Sequence, residues 1–563
     1  MKNFIKRLAW LDWLLPLFIW LLIFGKNIFS QMLFVDYVPS TYFDTIKALY
    51  LSSFSHVLNP FDILKLLLYP LGLLPYVFTI SILIAMFISY FYIKRTFNER
   101  GMIFVLLFSF VFFFNPYVYT RIMIGQINVV LSYLLIPVFL YYLFGFFNSE
   151  LDKKSLIKLV IAMTLVSLFA IHFFAINFII FIVASIYFYF YRDKFESKKY
   201  FNCLIVILLL LLLLNAFWIQ GIFSSGIFSA IDSSHEDFFS PKMSLYIPAV
   251  AKVIGMWGFW REAGMITSYK SIPLPIWYIM IFLIIIMMLI GYLNSEARKE
   301  ALLFFTLFWI GVILGTGISH PYTKPFFDFL FDYLPLFNGF RDSHKLVSLI
   351  ALSYAYFIPM SFLAVKEKFR KLSILYIIFI IIFILLFSFP LLGLWNQQKE
   401  MQFPKDYYSI GNYLDNQEIS GYIIYLPWQN YLTYNWTYGI SGDGRIAIPI
   451  NQIIKQRVII GADEYGSETS LTINISKCLS NKNIVCLEKA GVEYIIKDKC
   501  VNFVENYSWL SLPVYENTCL SLYKLNNSVV EKENVPLKFV IGVMISIITL
   551  LVLIVLLIVY RRK

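Results

Sequence analysis

Two acidic residues that follow the first long apolar stretch could transfer protons. Asp36 lies in the string Phe-Val-Asp-Tyr-Val-Pro, and Asp44 follows eight residues later. A carboxylate placed where a chain leaves a membrane can act as a general base towards a substrate carried by lipid. The alternative is a helix cap, because aspartate satisfies free backbone amides at helix starts. Asp36 is therefore the candidate base, with Asp44 as the alternative.

Two cationic groups could bind an anion near that carboxylate. Arg121 ends the string Asn-Pro-Tyr-Val-Tyr-Thr-Arg, and Gln126 follows it at the start of another apolar stretch. An arginine can bind a phosphate with two parallel hydrogen bonds. Further on, Arg341, His344 and Lys345 fall within five residues at the start of a late apolar stretch. Free amides at a helix start add affinity for anions, so a diphosphate or lipid phosphate is the predicted ligand. The alternative is anchoring at the lipid headgroups.

Two further groups contain histidine. His172 stands between two apolar stretches and is a candidate substrate ligand, with a helix cap or a satisfied polar group as the alternative. His235, Glu236 and Asp237 close an acidic cluster, and Trp257, Trp260 and Arg261 follow it. Such a cluster could bind sugar hydroxyls, with the tryptophans stacking on the ring, or a divalent metal ion as an uncertain cofactor. A solvated turn is the plainer interpretation.

The composition predicts an α-helical polytopic membrane protein. Of 563 residues, 60% are hydrophobic and 19% aromatic, and many apolar runs reach the roughly 20 residues that cross a bilayer. We predict twelve spans, of which the third and fifth are short: 8–27, 76–93, 102–114, 127–147, 156–171, 173–191, 201–220, 274–293, 301–318, 346–365, 372–394 and 538–560. The first span lacks a small-residue cleavage site and is expected to be retained.

The charge distribution predicts the orientation and argues against nucleic acid as a partner. The formal charge of +12 comes mainly from Lys and Arg in every second loop and at both termini. Under the positive-inside rule, both termini are cytoplasmic in a plasma-membrane protein, and 395–537 is extracellular. The expected organisation is a membrane domain at 1–394, an extracellular domain at 395–537 and an anchor with a basic tail at 538–563. The apolar segment 62–74, broken by Pro70 and Gly72, is either an interfacial helix or an extension of the second span.

The region 395–537 has the pattern of a small α/β or β-rich domain. Four strings rich in β-branched and aromatic residues, at 421–427, 456–461, 491–497 and 519–524, predict strands. Four cysteines there predict two disulfides, and proximity favours Cys478–Cys486 and Cys500–Cys519 over a metal site, since no C-x-x-C pair occurs. The glycosylation sequons predicted for this region begin at Asn435, Asn474, Asn506 and Asn526.

The pattern resembles the GT-C class of integral-membrane glycosyltransferases, and within it the arabinofuranosyltransferase and lipoteichoic-acid-glycosylating membrane proteins. The resemblance rests on Asp36 after the first span, on the Asn-Pro…Arg…Gly-Gln string at 115–126, and on the Gly-Phe-Arg-Asp-Ser-His-Lys string at 339–345. The strings Ile-Tyr-Leu-Pro at 424–427 and Gly-Val-Glu-Tyr-Ile-Ile at 491–496 match the external tail of the class. The Trp-Trp-Asp signature of oligosaccharyltransferases is absent from the sequence.

The resemblance implies transfer of a sugar from a polyprenyl-phosphate donor to an extracellular glycan, lipid or protein acceptor, with Asp36 as base. In the class the acid often forms a pair or follows glycine, whereas Val35 precedes Asp36 here. Asp44 or an acid of 232–237 therefore stays open as the base. A lipid-linked-glycan flippase or a cell-envelope scaffold is the alternative function, although a flippase would carry polar groups through the middle of its spans.

The predicted orientation can be tested by cysteine labelling from outside the cell. A cysteine placed at Lys368, in the basic loop 366–371, should be protected from a membrane-impermeant thiol reagent, because this loop is predicted to be cytoplasmic. A cysteine at Glu418, in the predicted extracellular region, is the matched control and should react. Labelling at Lys368 in intact cells would contradict the twelve-span topology.

Overall fold

The computed structural model describes most of the chain, and all structural statements below refer to the described residues. These are 11–40, 60–149, 151–190, 197–225, 237–243, 246–262, 267–295, 298–334, 337–398, 401–437, 444–461, 470–503, 507–526 and 537–562. Asp44, His235, Glu236 and Asn506 therefore lie outside the described residues.

Apolar helices build the larger part of the molecule. In chain order they are α1 Leu14–Phe24, α2 Pro60–Leu68, α3 Val77–Phe97, α4 Met102–Phe113, α5 Pro116–Ile124, α6 Ile127–Leu134, α7 Ile136–Asn148, α8 Lys153–Ser167, α9 His172–Phe190, α10 Ser197–Leu214, α11 Ala216–Ser225, α12 Ala249–Ile254, α13 Leu274–Leu293, α14 Arg298–Thr316, α15 Lys324–Tyr333, α16 Ser348–Lys368 and α17 Ser373–Phe387. The chain ends on α22, Leu537–Arg562. The most enclosed candidate span is Ser343–Lys368, of which 94% of the apolar window is buried, so it lies at the centre of the bundle.

The helices agree with the predicted membrane spans. Within the described residues, ten helices are long and apolar enough to cross a membrane, and the first predicted span corresponds to the shorter apolar helix Leu14–Phe29. The fifth predicted span is the 15-residue α8. The chain is thus a multi-pass α-helical membrane protein, and the predicted fold class is confirmed.

Helix α2 is separate from the second span. Gly72 has a left-handed backbone, with φ of 67°, and ends a short 3₁₀ turn that follows α2. Leu66, Leu67 and Leu71 are exposed. A short helix that exposes leucines beside a membrane span is typical of an interfacial element, so the structure favours that alternative.

The region after α17 forms an α/β domain, here called the sheet domain (residues 401–526). Its strands are β1 Tyr422–Leu426, β2 Tyr431–Thr433, β3 Arg445–Ala447, β4 Val458–Ile459, β5 Val492–Asp498, β6 Tyr515–Glu516 and β7 Leu520–Lys524. Its helices are α18 Lys405–Asp415, α19 Ile450–Ile453, α20 Ser470–Ser480 and α21 Ile484–Lys489. A five-stranded mixed sheet has the order β4-β1-β5-β7-β6, and β2 pairs with β3 in a separate antiparallel sheet. All four strings predicted as strands lie in the larger sheet.

Both predicted disulfides form. Cys478 bonds to Cys486, and Cys500 bonds to Cys519. The first disulfide joins α20 to α21, and the second joins the segment just after β5 to the residue before β7. The predicted glycosylation sites Asn435, Asn474 and Asn526 are exposed, as an acceptor must be; their modification stays a prediction.

The C-terminal helix packs against α11 at a close crossing. A Cβ on Gly542 would lie 2.7 Å from the carbonyl oxygen of Ala216, so only glycine allows this approach. One turn later, the Ser546 hydroxyl donates to the Leu213 carbonyl at 3.2 Å and accepts from the Phe217 amide at 3.1 Å. The sheet domain is therefore followed by a helix fixed to the membrane bundle.

A carboxyl group lies in the core of the sheet domain. Asp498, at the end of β5, is 3% exposed and accepts hydrogen bonds from the hydroxyls of Tyr407 and Tyr425 and from the Cys500 amide. Burial raises the pKa of Asp498 from 3.8 to about 6, although these hydrogen bonds oppose the shift. Between these two pKa values the folded domain binds more protons than the unfolded chain, so its free energy of unfolding falls as the pH rises through this window.

Lowering the pH from 7 to 5 should therefore stabilise the sheet domain, by at most about tenfold per pH unit in its unfolding equilibrium constant. Amide hydrogen exchange of β5 in the full-length protein, corrected for intrinsic exchange rates, measures the effect. Asp498→Asn should remove this contribution, whereas Asp415→Asn, which changes an exposed partner of Lys455, should leave it intact. An unchanged pH response in Asp498→Asn would assign the effect to another group.

Candidate active site

The turn that carries Asp36 lies between the membrane helices and the sheet domain. On the membrane side, the Asp36 amide donates to the Ile124 carbonyl at 2.7 Å. On the other side, the Ala447 amide of β3 donates to the Val35 carbonyl at 2.8 Å. Leu33 is fully buried in the hydrophobic core of the sheet domain. Residues 33–37 thus connect the two parts of the molecule.

Gly125 allows this turn to approach the membrane helices. Its φ is +87°, which disfavours side chains, and a Cβ there would lie 2.7 Å from the Cβ atoms of both Phe34 and Tyr37. Contacts under 3.0 Å force a neighbour to move, and here the neighbours lie at the base of their side chains. The glycine in the Gly-Gln pair therefore has a physical role, since the turn at 34–37 rests directly on it.

The Asp36 carboxylate is exposed and held on both of its oxygens. Gln126 Nε2 donates to Oδ2 at 3.2 Å, and Tyr431 Oη, from β2, donates to Oδ1 at 3.1 Å. The orientation of the Gln126 amide follows from its other contact, because Arg121 Nη1 donates to Oε1 at 2.6 Å and an arginine has no acceptor. The amide nitrogen must therefore face Asp36.

Arg121 is the centre of a buried polar network. Its side chain is 0% exposed, and Nη1 pairs with Asp342 Oδ2 at 2.7 Å. Nη2 lies 3.0 Å from His344 Nδ1, and the guanidinium lies 4.6 Å from the centre of the Phe259 ring. The sequence predicted that Arg121 and His344 bind substrate. The structure instead buries both completely, so their position fits support of neighbouring groups better than direct contact with a phosphate.

Lys345 and His172 extend this network. Lys345 Nζ lies 3.1 Å from His172 Nε2 and 3.9 Å from Asp342 Oδ2, and its side chain is 12% exposed. His172 Nε2 also lies 2.9 Å from the Gly339 carbonyl. His172 is therefore a satisfied polar group that ties the start of α9 to the segment before Arg341, as the alternative interpretation expected.

Two arginines flank an aromatic pair beside this network. The Arg341 guanidinium lies 4.9 Å from the Phe239 ring centre, and that of Arg261 lies 5.7 Å from the Trp260 ring centre. The rings of Phe239 and Trp260 meet edge to face at 4.8 Å. Both arginines are half-buried.

A buried ion pair fixes the loop that bears Arg261. Lys252 Nζ lies 3.9 Å from Glu262 Oε2, and both side chains are under 8% exposed. Glu262 also accepts the Gly258 amide, whose residue has φ of +103°. Lys252 further donates to the Lys242 carbonyl at 2.6 Å. These contacts close the loop from Gly258 to Glu262 against α12.

The surroundings shift the pKa values of Asp36 and Asp342 in opposite directions. Desolvation by the surrounding protein raises the pKa of Asp36 above its usual value, while the hydrogen bonds of Gln126 and Tyr431 and the charges of Arg261 and Arg121 oppose this shift. Burial alone would raise the pKa of Asp342, but Arg121 and Lys345 outweigh it and lower this pKa to about 2. The raised pKa makes Asp36 the better proton acceptor of the two, whereas the low pKa of Asp342 keeps it ionised at neutral pH.

The acidic cluster at 232–237 is described only at its end. Asp237 is exposed and pairs with Lys242 at 3.1 Å, which agrees with a solvated turn. Within the described residues, no three His, Cys, Asp or Glu side chains lie together as metal ligands.

The polar contacts described above join six residues into one connected network: Asp36, Gln126, Arg121, Asp342, Lys345 and His172.

Sequence reasoning did not single out Tyr431 or Asp342, and it mentioned Arg261 only beside the tryptophans. Asp342 sits inside the Arg-Asp-Ser-His-Lys string and could have been found as the counter-ion for its cations. Tyr431 lies 395 residues from Asp36, and only the docking of the sheet domain brings them together.

Comparisons with known proteins agree with this architecture. No protein-family model matches the chain, and no curated protein matches it. Among solved structures, arabinofuranosyltransferase AftD from Mycobacteria superposes with a TM-score of 0.59 at 13% identity, over 94% of this chain and 40% of that chain. A mutant of AftD gives 0.57 at 12% identity, over 92% and 41%. An oligosaccharyltransferase from Archaeoglobus fulgidus gives 0.42 at 13% identity, over 87% and 67%.

The fold is GT-C-like. The resemblance found in the sequence is thereby confirmed at the level of the fold. The chain spans about 40% of the length of the AftD chain it matches. At this identity the similarity concerns architecture, and the chemistry must be argued from the site itself.

Replacement of Gly125 by alanine should displace the Asp36 turn. Both the positive φ and the 2.7 Å contacts oppose a side chain, so the free energy of unfolding should fall by about 1–3 kcal/mol. The backbone amides of residues 33–37 should also exchange their hydrogens faster. Gly101→Ala is the matched control, because Gly101 has φ of +90° but no atom within 4 Å of its Cβ. Thermal unfolding and hydrogen exchange measure both. Equal amide hydrogen exchange at 33–37 in the two variants would mean that the close contact with Gly125 does not hold the Asp36 turn in place.

Proposed function

We propose that the chain is an inverting glycosyltransferase that acts on the extracellular face of the plasma membrane. It takes a sugar from a polyprenyl-phosphate donor and transfers it to a glycan, lipid or protein acceptor. The observation that carries the proposal is the exposed Asp36 carboxylate, held by Gln126 and Tyr431 beside half-buried cations in a GT-C-like fold.

In the reaction, Asp36 accepts the proton of the acceptor hydroxyl. The acceptor oxygen forms a bond to the anomeric carbon as the bond from that carbon to the phosphate oxygen breaks, and the lipid phosphate leaves with the electron pair. A base with a raised pKa is better matched to this task at neutral pH than an ordinary aspartate. Direct displacement inverts the configuration of the anomeric carbon.

Cations beside Asp36 would stabilise the departing phosphate. The candidates are Arg261 and Lys345, whose charges act on Asp36, and half-buried Arg341, whose charge acts on Lys345. Negative charge grows on the leaving phosphate in the transition state, so preorganised cations lower the barrier. Arg121 would act through its neighbours, because it holds Gln126 and Asp342 in place.

The arrangement of ionisable groups also bears on the alternative function. Arg121, Asp342 and Lys345 collect near the ends of α5 and α16, on the side where the sheet domain lies. A flippase would need polar groups along the middle of its spans to carry a headgroup across. A catalytically inactive scaffold would keep the fold without needing an accessible Asp36 carboxylate.

Substitution of Asp36 and of Arg341 should separate the two roles. Asp36→Asn should abolish transfer but leave donor binding nearly unchanged, because a base acts in the transition state. Arg341→Ala should weaken donor binding and transfer together, by on the order of 1.5–3 kcal/mol where the contact is desolvated. Turnover and binding of a polyprenyl-phosphate sugar in reconstituted membranes measure both.

A matched carboxylate control is available on α15. The Asp328 side chain is 37% exposed and pairs with Lys324 one turn away at 2.9 Å, so Asp328→Asn should retain full activity. Full activity in Asp36→Asn would move the base to Asp44 or the 232–237 cluster. Full activity after substitution of Asp36, of Asp44 and of the acids at 232–237 would leave the scaffold interpretation.

A further inference from the structure

The sheet domain contacts the Asp36 turn through one pair of facing residues in its two-stranded sheet. Tyr431 of β2 pairs with Ala447 of β3. The Tyr431 hydroxyl donates to Asp36, and the Ala447 amide donates to the neighbouring Val35 carbonyl. Two adjacent residues of the turn are therefore held by two residues that face each other across one sheet.

Other contacts make this attachment specific. The Ser40 hydroxyl donates to Gln452 Oε1 at 2.5 Å, and the Met401 amide donates to the Gln31 carbonyl at 3.4 Å. Together with buried Leu33, they align residues 31–40 along the sheet domain. The Arg445 guanidinium lies 5.9 Å from the Tyr431 ring centre, which restricts the ring that carries the hydroxyl.

We infer that Tyr431 is a positioning residue for Asp36, so the proposed transferase site is complete only when the sheet domain is docked on the turn at 33–37. This inference rests on the proposed function. The two oxygens of Asp36 are fixed from opposite sides, by Gln126 from the membrane helices and by Tyr431 from the sheet domain. Each oxygen of the carboxylate then keeps a lone pair that is available to an acceptor hydroxyl.

Removal of the hydroxyl should change the titration of Asp36. A hydrogen bond to a carboxylate favours its charged form, so its loss raises the pKa. The charged groups that act on Asp36 from other elements are Arg121 of α5, Arg261 of the loop after α12, and Lys345 of the turn before α16. None of these is altered in Tyr431→Phe, which keeps the ring and its contact with Arg445.

The acid limb of the pH profile of kcat/KM should therefore move up by about 0.5–1 pH unit in Tyr431→Phe, with the donor KM unchanged. Tyr408→Phe, at an exposed tyrosine of α18, is the matched control and should keep the wild-type profile. A purely structural role for Tyr431 would lower stability without moving the limb.

A second measurement makes the result independent of turnover. The pH dependence of carbodiimide-promoted labelling at Asp36, mapped by mass spectrometry in the full-length protein, should shift in the same direction. An unmoved limb and an unmoved labelling midpoint in Tyr431→Phe would overturn the inference while the glycosyltransferase proposal stands. Absence of sugar transfer by the unmodified protein, with a shifted labelling midpoint in Tyr431→Phe, would overturn the proposed function. Only the hydrogen bond between Tyr431 and Asp36 would then stand.

Discussion

The buried ion pair between Arg121 and Asp342 is the interaction on which the site depends. It joins α5 to the segment that opens α16, and both partners are nearly inaccessible to water. Removing one partner of such a pair costs about 3–5 kcal/mol, because the other charge is left uncompensated. Through Gln126, Arg121 also determines which end of an amide faces Asp36. A residue with no access to substrate thus defines the geometry of one that is exposed.

This pair explains how cations can cluster without repelling one another. Arg121, Lys345 and Arg341 lie near one anion, Asp342, whose low pKa keeps it charged throughout the physiological range. The anion offsets part of the positive charge, and the aromatic faces of Phe259 and Phe239 support two of the guanidinium groups. The remaining positive potential is the part on which the proposed binding of a phosphate depends.

Much of the fold could be predicted from the sequence because its signals are local. Apolar runs determine helices, β-branched strings predicted four strands, and the two disulfides join the first cysteine of the region to the second and the third to the fourth. The site was predicted in part: Asp36, Gln126, Lys345 and His172 do lie together with Arg121. Tyr431 could not be found, because its contact with Asp36 follows from how two domains dock. The burial of Arg121 and His344 could not be predicted either, since it depends on Phe259, which packs against both from a distant segment.

The crossing of the C-terminal helix with α11 has a further consequence for the sheet domain. The domain is fixed to the bundle at both ends, by α17 before it and by α22 after it. A domain held at two points has a high effective concentration at its docking surface, so each contact needs only a small affinity. The Tyr431 hydroxyl, the Ala447 amide and the buried Leu33 side chain can then hold the turn of Asp36 as contacts within one tethered chain.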